Sequence, residues 1–142
     1  MGKPITQAYS EIEKCRACCV YFAEHAERFL ANENLIGANG QAAQIIFQPL
    51  GVVLGVMPWN FPFWQVFRFT IPTLLAGNSV VVKHAPNTYY CSKLLEDLFS
   101  DILPTNVYNN IICDVSIVEQ IIKHKNVKAV SLTGSTKAGK AV

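Results

Sequence analysis

An apolar run that stops at a proline-flanked turn restricts the fold of this chain more than any other feature. Val52–Met57 is apolar throughout and rich in β-branched residues, which predicts a buried strand rather than a surface helix. Pro58 ends the strand, and Pro62 restricts Phe61 to extended or turn geometry. Asn60 therefore lies on a stiff turn at the end of a buried strand. In an open α/β sheet, ligands usually bind at this kind of position.

Strand and helix patterns alternate after this point. We predict further strands over 79–83, 107–113 and 127–132, and helices over 65–76, 86–103, 116–124 and 134–142. Strands separated by helices imply parallel pairing, so the predicted fold class is α/β, with an N-terminal helix followed by a doubly wound parallel (Rossmann-like) sheet. The sequence stops within a helix-opening pattern, and we expect this sheet to be truncated.

The first 48 residues have a different character from the rest. Residues 5–30 predict one amphipathic helix, residues 32–41 a polar connector, and residues 44–48 a short strand. The predicted apolar stripe of the helix comprises Ile12, Cys15, Cys19, Phe22, Ala26, Phe29 and Leu30, with Glu11 and the other charged residues mostly outside it. We therefore divide the chain into an N-terminal helical region with its connector (1–48) and an α/β domain (49–142).

Composition excludes several classes of function. The 142 residues carry a net charge of +2 without a basic cluster, which argues against nucleic-acid binding. No apolar run approaches the roughly 18–20 residues of a membrane span. Hydrophobic residues make up 51% of the chain and charged residues 15%, an excess that suggests surface meant for another subunit or for a missing part of the protein.

Cysteine usage indicates the compartment. Five cysteines, an odd number, and no export signal favour a reducing, cytoplasmic environment. Cys15, Cys18 and Cys19 share a helical face, but a metal site there would need further ligands nearby. Because cysteine is small and readily buried, core packing is the favoured interpretation, and we predict no metal site.

Two polar residues follow predicted strands and have two interpretations each. The amide of Asn60 could stabilise an oxyanion when a carbonyl is attacked, or it could cap the next helix, which spacing alone favours. Lys83 ends the strand SVVVK and would reach the ligand crevice, where it could bind ribose hydroxyls or a phosphate. A solvated charge at the end of the strand is an equally good interpretation.

Two further features are weaker. The turn at Gly134 and Ser135 follows a strand and opens a helix, so it could receive a phosphate or be a plainly capped helix. Arg68 lies eight residues after Asn60 and could grip a carboxylate with two hydrogen bonds, although a surface salt bridge is the commoner arrangement.

Taken together, these segments resemble the aldehyde dehydrogenase superfamily. The similarity rests on MPWNFPFWQ (57–65), LLAGNSVVVKHAPN (74–87) and LTGSTKAG (132–139), which stand in the family's order and spacing. GKPITQAYSEI (2–12) also looks like the family's N-terminal helical region. The KHAPN segment is most similar to the succinate-semialdehyde dehydrogenase branch.

The resemblance implies the oxidation of an aldehyde, here succinate semialdehyde, to an acid with NADP or NAD. It also implies that residues 49–142 are a partial NAD(P)-binding domain and that the catalytic domain is absent. Asn60 matches the oxyanion-hole amide, and Arg68 matches the arginine that holds the distal carboxylate of the substrate. The residues that match the cofactor site are Trp59, Asn60, Lys83, His84, Ala85, Pro86, Gly134 and Ser135.

Two departures from the family pattern matter. Pro86 stands where members that prefer NAD often carry a glutamate, so NADP should be tolerated. None of the five cysteines matches the family's nucleophile, and no residue matches its catalytic glutamate, so we expect an N-terminal fragment that is inactive alone. A homo-oligomer or a complementing C-terminal chain would be its partner. The alternative is a non-catalytic remnant, or a nucleotide-binding or oligomerising module from a split or decayed gene.

Overall fold

The computed structural model describes all 142 residues and has a mixed α/β fold. The helices are α1 (Ile5–Leu30), α2 (Trp64–Leu75), α3 (Tyr89–Ile102, preceded by a 3-10 turn at Pro86–Thr88), α4 (Val115–Ile122) and α5 (Thr136–Ala141). The strands are β1 (Glu33–Ile36), β2 (Ala42–Ile45), β3 (Val52–Val56), β4 (Ser79–Lys83), β5 (Tyr108–Ile111) and β6 (Val127–Leu132). The predicted fold class, an N-terminal helix followed by a parallel Rossmann-like sheet, is confirmed.

The main sheet has a topological switch point beside the central strand β3. Its four strands are all parallel and lie in the order β5-β4-β3-β6. The chain therefore moves outward from β3 through β4 to β5, then returns to place β6 on the other side of β3. In open α/β sheets, ligands bind outside the carboxyl ends of the strands at such a point.

The core forms where α2 and α3 pack against this sheet. Val66, Val80, Val82 and Leu95 are almost completely buried within one apolar cluster that also contains Phe99. The apolar run of β3 is buried at its centre, as its sequence predicts. Removing such side chains from water is the main favourable contribution to folding.

Gly55 allows α2 to approach β3 closely. A Cβ atom added at Gly55 would lie 2.6 Å from Cε1 of Phe69 and 2.9 Å from the terminal methyl of Met57. Both distances are shorter than a carbon–carbon contact of about 3.5–4.0 Å. Gly55 is therefore required by packing, which fixes α2 over the strand that precedes the Asn60 turn.

The region between α1 and β3 differs from its prediction. Residues 32–41 are not only a connector, because Glu33–Ile36 forms β1 and pairs antiparallel with Ala42–Ile45. The strand predicted at 44–48 begins two residues earlier and ends at Ile45. A turn closed by the hydrogen bond from the Gly40 N–H to the Gly37 carbonyl, at 2.9 Å, joins the two strands. Every residue of the two strands is exposed.

The predicted apolar stripe of α1 is buried or half-buried from Cys15 to Ala26 and exposed at its two ends. Ile12 and Phe29 are 46% and 45% exposed, and Cys15 is the only stripe residue that is buried. The other buried residue of α1 is Glu11, 4% exposed, which the sequence pattern placed outside the stripe. A buried carboxylate needs hydrogen-bond partners, and those of Glu11 lie at the start of α2.

Candidate functional site

The carboxyl ends of three adjacent strands meet at one edge of the sheet. Val56 of β3 aligns with Lys83 of β4 and with Leu132 of β6. The pairing continues beyond the strands, because the Met57 N–H donates to the Lys83 carbonyl at 3.0 Å and the Thr133 N–H donates to the Val56 carbonyl at 3.1 Å. The structure therefore brings together the segments that follow β3, β4 and β6, which contain the predicted site residues.

Asn60 is exposed on the turn after β3. Its side-chain Oδ1 accepts a hydrogen bond from the Phe61 N–H at 3.1 Å, and its Nδ2 group has no partner within the chain. Asn60 does not cap α2, because that helix begins after Phe63 and has no capping side chain of its own. Pro62 is fully buried and holds the turn in place. The amide donor of Asn60 is therefore available at the switch point, beside the exposed Trp59.

A carboxylate from α1 replaces the missing helix cap. Oε1 of Glu11 accepts hydrogen bonds from the N–H groups of Phe63 and Trp64, both at 2.8 Å. Its Oε2 pairs with the ammonium group of Lys3. The first N–H groups of a helix lack partners within the helix, and its dipole favours negative charge there. The role of Glu11 was not predicted from the sequence, although Glu11 lies one helical turn before Cys15, on the same face of α1.

Lys83 and His84 form a buried polar pair at the end of β4. Lys83 is 5% exposed and its Nζ donates to the His84 carbonyl oxygen at 3.1 Å, without an acidic partner. His84 is 7% exposed, and neither ring nitrogen has a hydrogen-bond partner. Burial, and secondarily the charge of Lys83, lowers the pKa of His84 to about 4. His84 is therefore neutral at pH 7, with one donor and one acceptor nitrogen still unused.

A cavity of about 330 Å³ opens next to this pair, between the segments that follow β4 and β5. His84, Ala85 and Pro86 line one side, and Cys113 and Asp114 line the other. Unpartnered buried polar groups are uncommon in folded proteins and need an explanation such as a bound group. The donors and the space here fit the hydroxyl groups of a ribose. The contribution of the loop after β5 to the lining of this cavity was not predicted from the sequence.

Arg68 lies on the other side of β3 from this cavity. Its Nη2 donates to the hydroxyl of Thr133 at 2.9 Å, which places the guanidinium beside the segment that follows β6. Arg68 forms no salt bridge, so the surface salt bridge that was the commoner interpretation from the sequence is absent. Gly134 and Ser135 follow Thr133, and the Ser135 hydroxyl caps α5 by accepting from the Ala138 N–H at 3.2 Å.

The cysteines do not provide an activated thiolate at this site. Burial, and then the charge of Glu11, raises the pKa of Cys15 to about 12, and burial also raises the pKa of Cys18, Cys19 and Cys91. Cys113 follows β5, so β4 separates it from the strand that carries the Asn60 turn. The chain forms no group of three or more His, Cys, Asp or Glu side chains that could hold a metal ion.

A parallel sheet with its polar groups at a topological switch point is the arrangement of the dinucleotide-binding class of α/β proteins. The aldehyde dehydrogenase family model matches residues 1–142. The chain therefore belongs to the aldehyde dehydrogenase family. No helix in the structure is both long enough and apolar enough to cross a membrane.

Several relatives within the family are succinate-semialdehyde dehydrogenases. The chain is 44% identical to the Escherichia coli succinate semialdehyde dehydrogenase [NAD(P)+] Sad and 40% identical to a probable NADP(+) enzyme of Synechocystis. These alignments cover 100% and 98% of the chain and 31% of each relative. The succinic semialdehyde dehydrogenase of Streptococcus pyogenes, solved in complex with NADP+, superimposes with a TM-score of 0.95 at 33% identity, over 99% of this chain and 31% of that one.

Proposed function

We propose that these 142 residues supply the ribose side of the cofactor site and the oxyanion amide of an NAD(P)-dependent succinate-semialdehyde dehydrogenase. The observation that carries the proposal is the buried Lys83–His84 pair at the carboxyl edge, whose charge and ring nitrogens have no acidic or hydrogen-bonding partner within the chain. A dinucleotide bound there would pair with the charge of Lys83 and form hydrogen bonds with the ring nitrogens of His84. The names of the relatives supply the substrate and cofactor of the proposal.

Each residue has a distinct part in this proposal. Lys83 and the neutral ring of His84 bind ribose hydroxyls or a 2′-phosphate. Ala85 and Pro86 place no acidic side chain on their side of that cavity, whose acidic lining residue is Asp114 on the opposite side, so NADP is accepted as well as NAD. Gly134 and Ser135 form the turn that faces the pyrophosphate. When bound, the nicotinamide supplies the hydride acceptor.

The substrate side lies around the Asn60 turn. We propose that the Asn60 amide donates to the oxygen of the aldehyde as negative charge develops there, with Trp59 beside it against the cofactor. Arg68 is held at the edge of β6 by Thr133 and has no acidic partner, so its guanidinium is free to pair with the distal carboxylate of succinate semialdehyde. The attacking thiolate and the carboxylate that activates water belong, in this proposal, to residues outside this sequence.

Calorimetry with NADP and NAD tests the cofactor site. We expect the 142-residue chain to bind NADP, and Lys83→Met to weaken binding at least about tenfold because it removes a charged hydrogen-bond donor. Lys93→Met is the matched control, because Lys93 pairs with Glu96 and Asp97 on the exposed surface of α3. Failure to detect either nucleotide at millimolar concentration, or equal losses in the two variants, would contradict the proposal.

A turnover assay with succinate semialdehyde and NADP tests the division of labour. We expect no activity from the 142-residue chain, since none of its cysteines is an activated thiolate beside Asn60. Clear formation of NADPH by the pure chain would show that the chemistry does not need residues outside this sequence.

The proposal also includes a protein partner and a cytoplasmic location. Several large apolar side chains are exposed, among them Ile36 at 85%, Val115 at 73% and Ile112 at 70%. We propose that they contact another copy of the chain or a complementing chain. All five cysteines are free, which suits a reducing compartment. Size-exclusion chromatography over a range of concentrations tests association, and a monomer at every concentration would count against it.

A further inference from the structure

The start of α2 is capped from a distant part of the sequence. Its own N-cap residue, Phe63, offers no side-chain hydrogen bond. Glu11 instead accepts from the N–H groups of Phe63 and Trp64, across 52 and 53 residues of sequence. Because its side chain is 2% exposed, the carboxylate is shielded from water and these hydrogen bonds are charge-assisted.

Two cations extend this link on either side of Glu11. Lys3 pairs with Glu11 and also places its Nζ 4.2 Å from the ring centroid of Phe61. Lys14, one turn after Glu11, places its Nζ 4.2 Å from the ring of Trp64. Such cation–π contacts are attractive, and they are stronger where water is excluded. The N-terminal region therefore contacts Phe61, Phe63 and Trp64 in succession.

These contacts all fall on the residues that immediately follow Asn60. The Phe61 N–H donates to Asn60 Oδ1, so the position of Phe61 also fixes the orientation of the Asn60 carboxamide. Pro58 and Pro62 stiffen the turn, but neither contributes a hydrogen-bond donor that would set this orientation. An orientation that must be held against thermal motion needs support from neighbouring side chains.

We propose that Glu11 is a positioning residue for the oxyanion amide. By capping α2 and holding Lys3 against Phe61, it fixes the turn so that the Asn60 Nδ2 group faces the switch point. The inference rests on the proposed role of Asn60 and adds to it a residue that touches neither substrate nor cofactor. It also gives α1 a function in the site, beyond packing against α2.

Amide hydrogen exchange and side-chain NMR relaxation of the 142-residue chain test this role. In Glu11→Ala we expect the Phe63 and Trp64 amides to exchange about 10- to 100-fold faster relative to core amides such as Val80, because two charge-assisted hydrogen bonds are lost. The order parameter of the Asn60 Nδ2 group should fall below about 0.6. A role in stability alone would accelerate exchange throughout the chain and leave that order parameter unchanged.

Conservative and control variants make the outcome specific. Glu11→Gln retains an acceptor oxygen and should restore most of the order at Asn60, whereas Glu13→Ala removes an exposed carboxylate of the same helix and should change neither readout. If Glu11→Ala does not fold, Lys3→Met gives the same comparison at smaller amplitude. Unchanged exchange at Phe63 and Trp64, or an Asn60 group that stays ordered without Glu11, overturns the proposal.

The proposed function can fail separately from this inference. If the wild-type chain binds no nucleotide, the cofactor proposal fails, but the exchange rates and the Asn60 order parameter still report whether Glu11 holds the turn.

Discussion

At the scale of single residues, the candidate site depends on Asn60, on the carboxylate of Glu11 and on the absence of a side chain at Gly55. The Nδ2 group of Asn60 has no partner within the chain, and the carboxylate of Glu11, not Asn60, caps α2. Gly55 lets the ring of Phe69 lie against β3. The need for Asn60 on a stiff turn could be predicted from its flanking prolines. The role of Glu11 could not, because its partners lie more than 50 residues away.

Gly55→Ala tests the close approach of α2 to β3. The added Cβ would overlap the Phe69 ring and the Met57 methyl group, so we expect a loss of about 1–3 kcal/mol in the free energy of unfolding. Urea denaturation followed by circular dichroism measures this. Gly139→Ala is the control, because a Cβ there would meet nothing within 4 Å. A Gly55→Ala protein as stable as the wild type would show that the contact relaxes freely.

At the scale of elements, local patterns identified the parallel strands and the extent of α1 well, and the hairpin that follows α1 poorly. The centres of β3, β4 and β6 were predicted because apolar, β-branched runs between helices have few alternatives. The strand predicted at 107–113 is shorter, Tyr108–Ile111, and β1 was missed because its four residues are polar or exposed. The ends of the α1 stripe are exposed because helical spacing shows which residues share a face, whereas packing against α2 decides how much of that face is covered.

The hairpin of β1 and β2 should be much less stable than the main sheet. All eight of its residues are exposed, and an isolated two-stranded sheet is only marginally stable. We expect amides of β1 and β2 to exchange by local opening, while those of β3 and β4 approach the rate of global unfolding. Hydrogen exchange followed by NMR measures both. Equal protection of the two sheets would indicate that the hairpin packs against another copy of the chain.

At the scale of the whole molecule, a parallel sheet gathers segments that are far apart in sequence. The strand order β5-β4-β3-β6 puts residues after 56, after 83 and after 132 at one edge. It also buries the ring nitrogens of His84 without hydrogen-bond partners, next to Lys83, which has no acidic partner. This burial makes the stability of the whole fold depend on pH.

The pH dependence follows from the low pKa of His84. The folded pKa is about 4, whereas the unfolded pKa is near 6.5. Between these values the unfolded chain binds more protons, so stability is present above pH 6.5 and is lost as pH falls through 4. We expect His84 to cost about 2 kcal/mol of unfolding free energy between pH 7 and pH 5.

Urea denaturation at both pH values, on wild type and His84→Asn, isolates this contribution. The variant should lose less stability on acidification, since its amide does not titrate, while the carboxylates titrate alike in both proteins. Equal losses in the two proteins would show that the pKa of His84 is the same in the folded and the unfolded chain.

Local sequence patterns are sufficient to predict the parallel α/β class, the stiff turn that carries Asn60, and the resemblance to the family. These depend on short-range physics: apolar periodicity, proline geometry and motif spacing are all local properties of the sequence. Three features are visible only in the folded chain: Glu11 caps α2, Arg68 contacts Thr133, and Lys83 and His84 are buried without acidic partners. Those properties depend on which elements pack together, and hydrogen bonds and desolvation act between atoms that are close in space.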